Sequence, residues 1–410
     1  MFPKQGQVFP ADGEERQRFV EISYNPWEPY NSRIGFPHVV SVVFGAIILL
    51  PIRLFIVLLT IVISWSVALL GLLGKRYHDL SPVESLGWRG VWVRSVMKGA
   101  SRFCLFVGGY YWINHIYLSD ENSKFQKIAN PLEPTKQTSS SPLSPIPIVV
   151  SKKAPPHVAL RVRDGDEDED SSPADVDIPL TPECERLSKD SSTPATAGII
   201  VSNHVSYLDI PVLMATFAPS FVAKQEVSNV PFIGMMAPCL QCVLVKRQDP
   251  VRRHEALEII RKRALSSDQT LPPLVIFSEG TVTNGKCLLQ FQKGGFAAGA
   301  PVYPVILRYR YRWFNPAWVK IDGIKHMLHM LTSWMSHLDI IHLPIYAPSE
   351  SEKADPELFA ENVRRKMAYA EDLLLVERNY REYLPESKHP GPAKVYVRKD
   401  HSIMKILDRR

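Results

Sequence analysis

A run of β-branched apolar residues ends in Asn203 and His204, and Asp209 follows five residues after the histidine, within "AGIIVSNHVSYLDIPVL" at Ala197–Leu213. A buried strand requires neither an imidazole nor a carboxylate. Together they suit proton transfer: a carboxylate on one ring nitrogen fixes the tautomer and leaves the other nitrogen to accept a proton. A five-residue step turns about 140° around a helix, so the two groups cannot face each other within one regular helix. They meet only if His204 sits at a strand-to-helix bend and Asp209 in the early turns of that helix. Ser206 lies between them, but the surroundings lack G-x-S-x-G, so no nucleophilic serine is needed. On its own, His-x4-Asp is also the pattern of a surface histidine near a capping aspartate.

Other polar groups fall at strand ends. Glu279-Gly280-Thr281 closes the apolar stretch "PPLVIFSEGT", and Asn284-Gly285 can turn the chain. "QCVLVKR" ends in Arg247, and "APVYPVILRYRYR" holds Pro304 inside an apolar strand. Around these, strands alternate with helices. A first strand is expected near Tyr110–Leu118, then strands at Ile199–Ser202, in "SFVAKQEV" and in "LDIIHLPIYAP". Helices are expected over Tyr207–Phe217, Pro231–Leu240, Pro250–Leu265, Ile324–His337 and Pro356–Val376. That alternation predicts an α/β domain over 196–376, a sheet flanked by helices.

Ahead of that domain, from Phe36 to Gly74, the only side chains with a charge or an imidazole are His38 and Arg53. Leu54–Gly74 alone supplies the roughly 20 apolar residues that cross a bilayer. Pro51-Ile52-Arg53 interrupts the run, and a mid-bilayer charge is costly, so Arg53 is expected near a headgroup layer or in a bend. Two arrangements follow: Leu54–Gly74 spans alone with Phe36–Leu50 lying shallowly, or the whole run is a re-entrant hairpin. Lys75, Arg76, Arg89, Arg94, Lys98 and Arg102 come next, which places the C-terminal side in the cytosol.

The remaining segments are a polar, flexible tail over 1–35, an interfacial helix and strand over 75–118, and a basic tail over 377–410. Residues 119–195 hold 11 of the 34 prolines and the acidic run "DGDEDED", and are expected to be disordered. Five scattered cysteines fit a reducing compartment, and the lone Cys239-x-x-Cys242 has no second pair to complete a metal site. The net charge of +6 lacks an aromatic-interleaved basic stripe, which argues against nucleic acid and for an anionic membrane face or anionic substrates.

Four ordered blocks now resemble the membrane-bound glycerophospholipid acyltransferases, the group that includes 1-acylglycerol-3-phosphate acyltransferase. They are Asn203-His204-x4-Asp209, Val243–Arg247, "FSEGT" at Phe277–Thr281 and "VYPVIL" at Val302–Leu307. "FVAKQEVSNVPFIG" fits the family's Lys-x-Glu…Pro-x-x-Gly connection, and Ser278 departs from its usual proline. The resemblance runs from Phe36 to about Met367, outside 119–195. "LLPIRLF", "LLQFQKGGFAAGAPV" and "HLPIYAPSE" look most like lysophosphatidylcholine acyltransferases and the short plant lysophosphatidylethanolamine form.

The resemblance implies a membrane-anchored acyltransferase domain with a mixed sheet, on the cytosolic face of the endoplasmic reticulum membrane. It implies acyl-CoA and a lysophospholipid as substrates, with no cofactor and no metal. His204 would be the general base, Asp209 its orienting partner, and Arg247, Glu279, Gly280, Thr281 and Pro304 the substrate-binding set. A non-catalytic lysolipid-binding membrane protein and an acyl-CoA hydrolase are the alternatives.

Overall fold

Ile199, Ile200 and Val201 are all fully buried, because the strand they form has a core on both of its faces. That is why the run before His204 is continuously apolar rather than alternating. The computed structural model describes residues 17–22, 24–28, 36–71, 73–74, 82–118, 127–128, 198–230, 233–246, 248–268, 270–311, 314–382 and 393–398. In chain order the strands are β1 (Gln17–Ile22), β2 (Trp112–Leu118), β3 (Lys127–Ile128), β4 (Ile199–Ser202), β5 (Ser220–Lys224) and β6 (Val243–Val245). They continue with β7 (Leu274–Phe277), β8 (Cys287–Leu288), β9 (Val302–Arg310), β10 (His337–His342), β11 (Leu374–Val376) and β12 (Ala393–Arg398). The helices are α1 (Phe36–Phe44), α2 (Leu50–Gly71), α3 (Gly87–Val107), α4 (Asp209–Phe217) and α5 (Ile233–Cys239). After them come α6 (Pro250–Ala264), α7 (Gly323–Thr332), α8 (Glu350–Ala354) and α9 (Pro356–Glu371).

Eight strands form a mixed sheet in the order β3-β2-β10-β9-β4-β7-β5-β6. The five from β9 to β6 are parallel, while β10 runs antiparallel to β9 and parallel to β2. On one face Ile200 packs with α3, α4 and α7; on the other, Ile199 and Val201 pack with Ala256 and Ile260 of α6 and Phe359, Val363 and Met367 of α9. This is the expected α/β architecture, a mixed sheet flanked by helices. Ser202 pairs with Phe277, so the chain leaves β4 and β7 side by side at their carboxyl ends. Open α/β sheets bind their ligands at that edge.

A second sheet was not expected. β1 and β12 pair from Gln17 with Arg398 to Ile22 with Ala393, and the order continues to β11 and β8. Tyr24 and Trp27 are buried against Cys287, Leu289, Leu374, Val376 and Val395. Residues 17–22, 24–28 and 393–398 of the expected tails are therefore folded, and the end of the expected Pro356–Val376 helix is β11. Within the expected insert, Lys127–Ile128 form the edge strand β3 on β2; its other residues lie outside those described.

The apolar run is one helical rod. A π turn at Gly45–Leu49 joins α1 to α2 and opens the ladder just before Pro51, whose ring would otherwise crowd the preceding turn. No hairpin forms at Pro51-Ile52-Arg53. Val39–Gly71, 33 residues whose most apolar 18-residue stretch has a mean hydropathy of 2.9, is long and apolar enough to cross a membrane; it measures about 50 Å at the helical rise. Its seam against the rest of the protein is Arg53, Thr60, Ser64, Ala68 and Gly71, while Phe55, Leu58, Leu59, Val62 and Ile63 face outward.

Contacts follow this seam from end to end. Trp334 Nε1 donates to Ser41 O at 3.1 Å, Trp65 Nε1 to Met235 Sδ at 3.3 Å, and Cys239 Sγ to Ala68 O at 3.6 Å. Arg53 is not in a bend but inside the continuous helix α2. It is buried, and donates to Leu331 O at 3.0 Å, to Ser333 O and to Tyr111 Oη at 3.2 Å. A cation belongs there because the last carbonyls of α7 carry the negative end of its dipole. Of the basic residues beyond α2, Arg94 is buried and Arg102 donates to Tyr110 O and Tyr111 O, so both serve the fold.

Trp27 gives the second sheet its test. Trp27→Ala should lower the stability of the full chain by about 3–5 kcal/mol, as for other buried Trp truncations. Denaturant titration of the purified protein measures it, and a loss under about 1 kcal/mol would show that 24–28 is not packed.

Candidate active site

Asn203 ends β4 by substituting its side chain for a peptide. Its Oδ1 accepts from Leu307 N at 2.8 Å and its Nδ2 donates to Leu307 O at 3.1 Å. The amide thus completes the ladder to β9, and the main chain is released from the sheet at His204. Six residues on, Asp209 opens α4, wholly buried.

His204 and Asp209 meet across this bend, with His204 Nδ1 2.8 Å from Asp209 Oδ2. The same oxygen accepts from Val205 N at 2.7 Å and Ser206 N at 2.9 Å, and Oδ1 accepts from Tyr309 Oη at 2.6 Å. With Nδ1 facing the carboxylate, Nε2 is the nitrogen left for a substrate proton. The imidazole lies flat on Phe277, centroids 4.0 Å apart and planes 15° apart, and its side chain remains 20% exposed.

The 279–283 loop holds the main chain of His204 on both sides. Glu279 Oε1 accepts from His204 N at 3.0 Å, and Thr283 N donates to His204 O at 2.9 Å. Glu279 Oε2 accepts from Leu289 N at 3.1 Å, so both carboxyl oxygens are taken by backbone donors and the residue is fully buried. Burial pushes the Glu279 carboxyl up to about 8, against the two backbone bonds that favour its anion. Glu279 thus fixes the main chain of His204 and Leu289, and no ligand contact is needed to satisfy it.

Gly280 turns at φ 74°, where a side chain would be strained and would press on the Tyr380 ring. Thr281 is half-buried beside it. Pro304 is buried in β9 opposite Val201, and its carbonyl accepts from Leu343 N at 3.1 Å. It is a buried part of the sheet, paired with β4 on one side. Arg247 lies outside the described residues. Ser278 is buried, and its carbonyl accepts from Gln292 N at 2.8 Å.

The loop is in turn braced from the N-terminal segment. Asn284 Oδ1 accepts from Tyr24 Oη at 3.1 Å, its Nδ2 donates to Glu28 O at 3.2 Å, and its N donates to Pro26 O at 2.8 Å. Sequence reasoning named Asn203, Phe277 and Asn284 but not these contacts, and it missed Tyr309 and Thr283. Tyr309 left a signal: in "LRYRYR" it falls on the core face between two arginines.

Glu279 yields a pH test. Its folded-state value of about 8 stands above the ordinary 4.5, so the stability it contributes is complete below about pH 4.5 and is lost as pH rises toward 8. Glu279→Gln carries no charge to bury. The melting temperature of the native protein should fall relative to that of Glu279→Gln between pH 5 and 8, and parallel profiles would exclude a buried titrating carboxyl.

Comparison with known proteins follows from this geometry. The acyltransferase family model matches residues 185–308, the span that holds β4, β7, His204, Asp209 and the 279–283 loop. The chain is 42% identical over 217 residues to lysophospholipid acyltransferase LPEAT1 of Arabidopsis thaliana, covering 52% of this chain and 54% of that protein. It is 38% identical over 174 residues to the lysophosphatidylcholine acyltransferase of Drosophila melanogaster, covering 42% and 32%. The chain thus spans about half the length, or less, of these curated relatives. The crystal structure of the 1-acyl-sn-glycerophosphate acyltransferase PlsC from Thermotoga maritima aligns over 78% of this chain and 95% of that one, at 15% identity and a TM-score of 0.40. Residues 185–308, built around the His204 bend, match the acyltransferase family model, and it is over this part of the fold that the chain is similar to known acyltransferases.

Proposed function

We propose that this protein transfers a fatty acyl chain from acyl-CoA to the free glycerol hydroxyl of a lysophospholipid, with lysophosphatidylethanolamine favoured. The observation that carries the reading is the His204–Asp209 pair at the carboxyl end of β4, in which the ring stays partly exposed while its main chain is clamped on both sides. His204 Nε2 takes the hydroxyl proton as that oxygen attacks the thioester carbonyl. The carbon–sulfur bond then breaks, and the leaving thiolate receives the proton from the imidazolium. Asp209 keeps the ring in the productive tautomer and stabilises its charged form. Arg247 and the backbone of Gly280-Thr281 hold the glycerol phosphate, since a planar cation suits a phosphate. The names of the relatives support the lysophospholipid acceptor.

The site lies one helix layer from a lipid-compatible surface. α4, which begins at Asp209, packs on α3, and α3 packs on α2. Ile210 and Trp318 are exposed beside the His204 loop. On this reading the 36–71 rod lies in the plane of the cytosolic leaflet of the endoplasmic reticulum membrane rather than across it. It touches the catalytic domain along its whole length, and residues 24–28 ahead of it are buried in the same domain as residues beyond it.

Purified protein given one labelled acyl-CoA and a panel of lysolipids tests the chemistry. Labelled diacyl lipid should form fastest from lysophosphatidylethanolamine, and His204→Ala should lower the rate by about two to four orders of magnitude without changing membrane recovery. Thioester loss without acylated lipid would mean hydrolysis, and no turnover with any acceptor would overturn the reading. Protease protection of tags at both termini in sealed microsomes tests the topology. Both tags should be cut from outside, and a protected N-terminal tag would mean that the rod crosses.

A further inference from the structure

We infer that Tyr309 is a positioning residue of the proton-transfer pair, setting how strongly Asp209 holds the protonated form of His204. Asp209 is fully buried, and its Oδ2 is already shared by His204 Nδ1, Val205 N and Ser206 N. Oδ1 faces away from the ring and receives the Tyr309 hydroxyl at 2.6 Å, a charge-assisted bond in a dry setting. Tyr309 is itself buried on β9, two residues past Leu307, the residue that Asn203 grips. The same strand therefore fixes both the end of β4 and the far oxygen of the aspartate. Burial first, and then the negative charge of Asp209, hold the phenol well above its usual range, so it stays a donor at every working pH.

A donor on Oδ1 draws charge from the carboxylate and weakens its pull on an imidazolium proton at Oδ2. Tyr309 thereby keeps His204 ready to accept a proton at a lower pH than an unassisted Asp would allow. The other titratable groups around the pair are Glu279 from the 279–283 loop, acting on Asp209, and Tyr110 and Tyr207, acting on Tyr309. The two tyrosines are also raised by burial, and Glu279 titrates near 8. None of the three moves on the acid side of neutrality, where the readout is taken.

The inference rests on the acyl-transfer reading for its kinetic arm only. In Tyr309→Phe the acid limb of the kcat/KM profile for thioester consumption should move about one pH unit upward. KM for acyl-CoA should change less than twofold. Replacing Tyr309 with 3-fluorotyrosine keeps the shape and makes the donor more acidic, so the limb should move the other way even if the Phe variant folds poorly. Independently of turnover, 15N-histidine labelling of detergent-solubilised protein reports the protonation of His204, its resonance assigned by its loss in His204→Ala. Displacement of that titration in opposite directions by the two replacements supports the role. Identical titrations in native, Phe and fluorotyrosine proteins overturn it, whether or not the acyl-transfer assay succeeds.

Discussion

Asp209 is the group on which the site depends. Its buried carboxylate receives a ring nitrogen and two main-chain N–H groups from the 204–206 bend and a phenol from β9. A carboxylate in that position is costly unless each oxygen is satisfied. The four donors meet the cost and at the same time define the geometry. The two N–H groups shape the bend after β4, the imidazole is oriented by it, and α4 starts where the carboxylate sits.

Around that group the protein uses polar side chains as pieces of backbone. Asn203 completes the sheet in place of a peptide, and Glu279 takes the N–H groups of His204 and Leu289 that a strand would otherwise pair. Asn284 does the same for the N-terminal segment. The effect is a histidine whose main chain is fixed while its side chain stays partly exposed. For the proton transfer proposed above, a base fixed before substrate arrives would need no reorganisation in the reacting complex.

The long apolar rod is built inside out. Small and polar residues form its packed seam, and its large aliphatic and aromatic residues face outward, the reverse of a helix on a water-soluble protein. Close approach of helices favours small residues at their contact. Arg53 sits in that seam for the same reason that it is rare in such a run: buried against the open carbonyls of α7, it answers a need those carbonyls have.

The sequence by itself determined the alternation of strands and helices, the long apolar run and the bend that joins His204 to Asp209. Each is a property of contiguous residues: periodicity, hydropathy, or a spacing too short to admit another geometry. It also placed Glu279 at a strand end and Arg53 inside the apolar run, two ionic groups that, once buried, must be paired or hydrogen-bonded. Which partners they found was decided only in three dimensions. Glu279 turned to the backbone of His204, Arg53 turned to the carbonyls that end α7, and Tyr309 reached an aspartate 100 residues earlier. The second sheet joins Gln17 to Arg398, and no local pattern in either strand carries the identity of the other. A side chain's type states that a hydrogen bond must be made; the chain's return path through space selects the group that makes it.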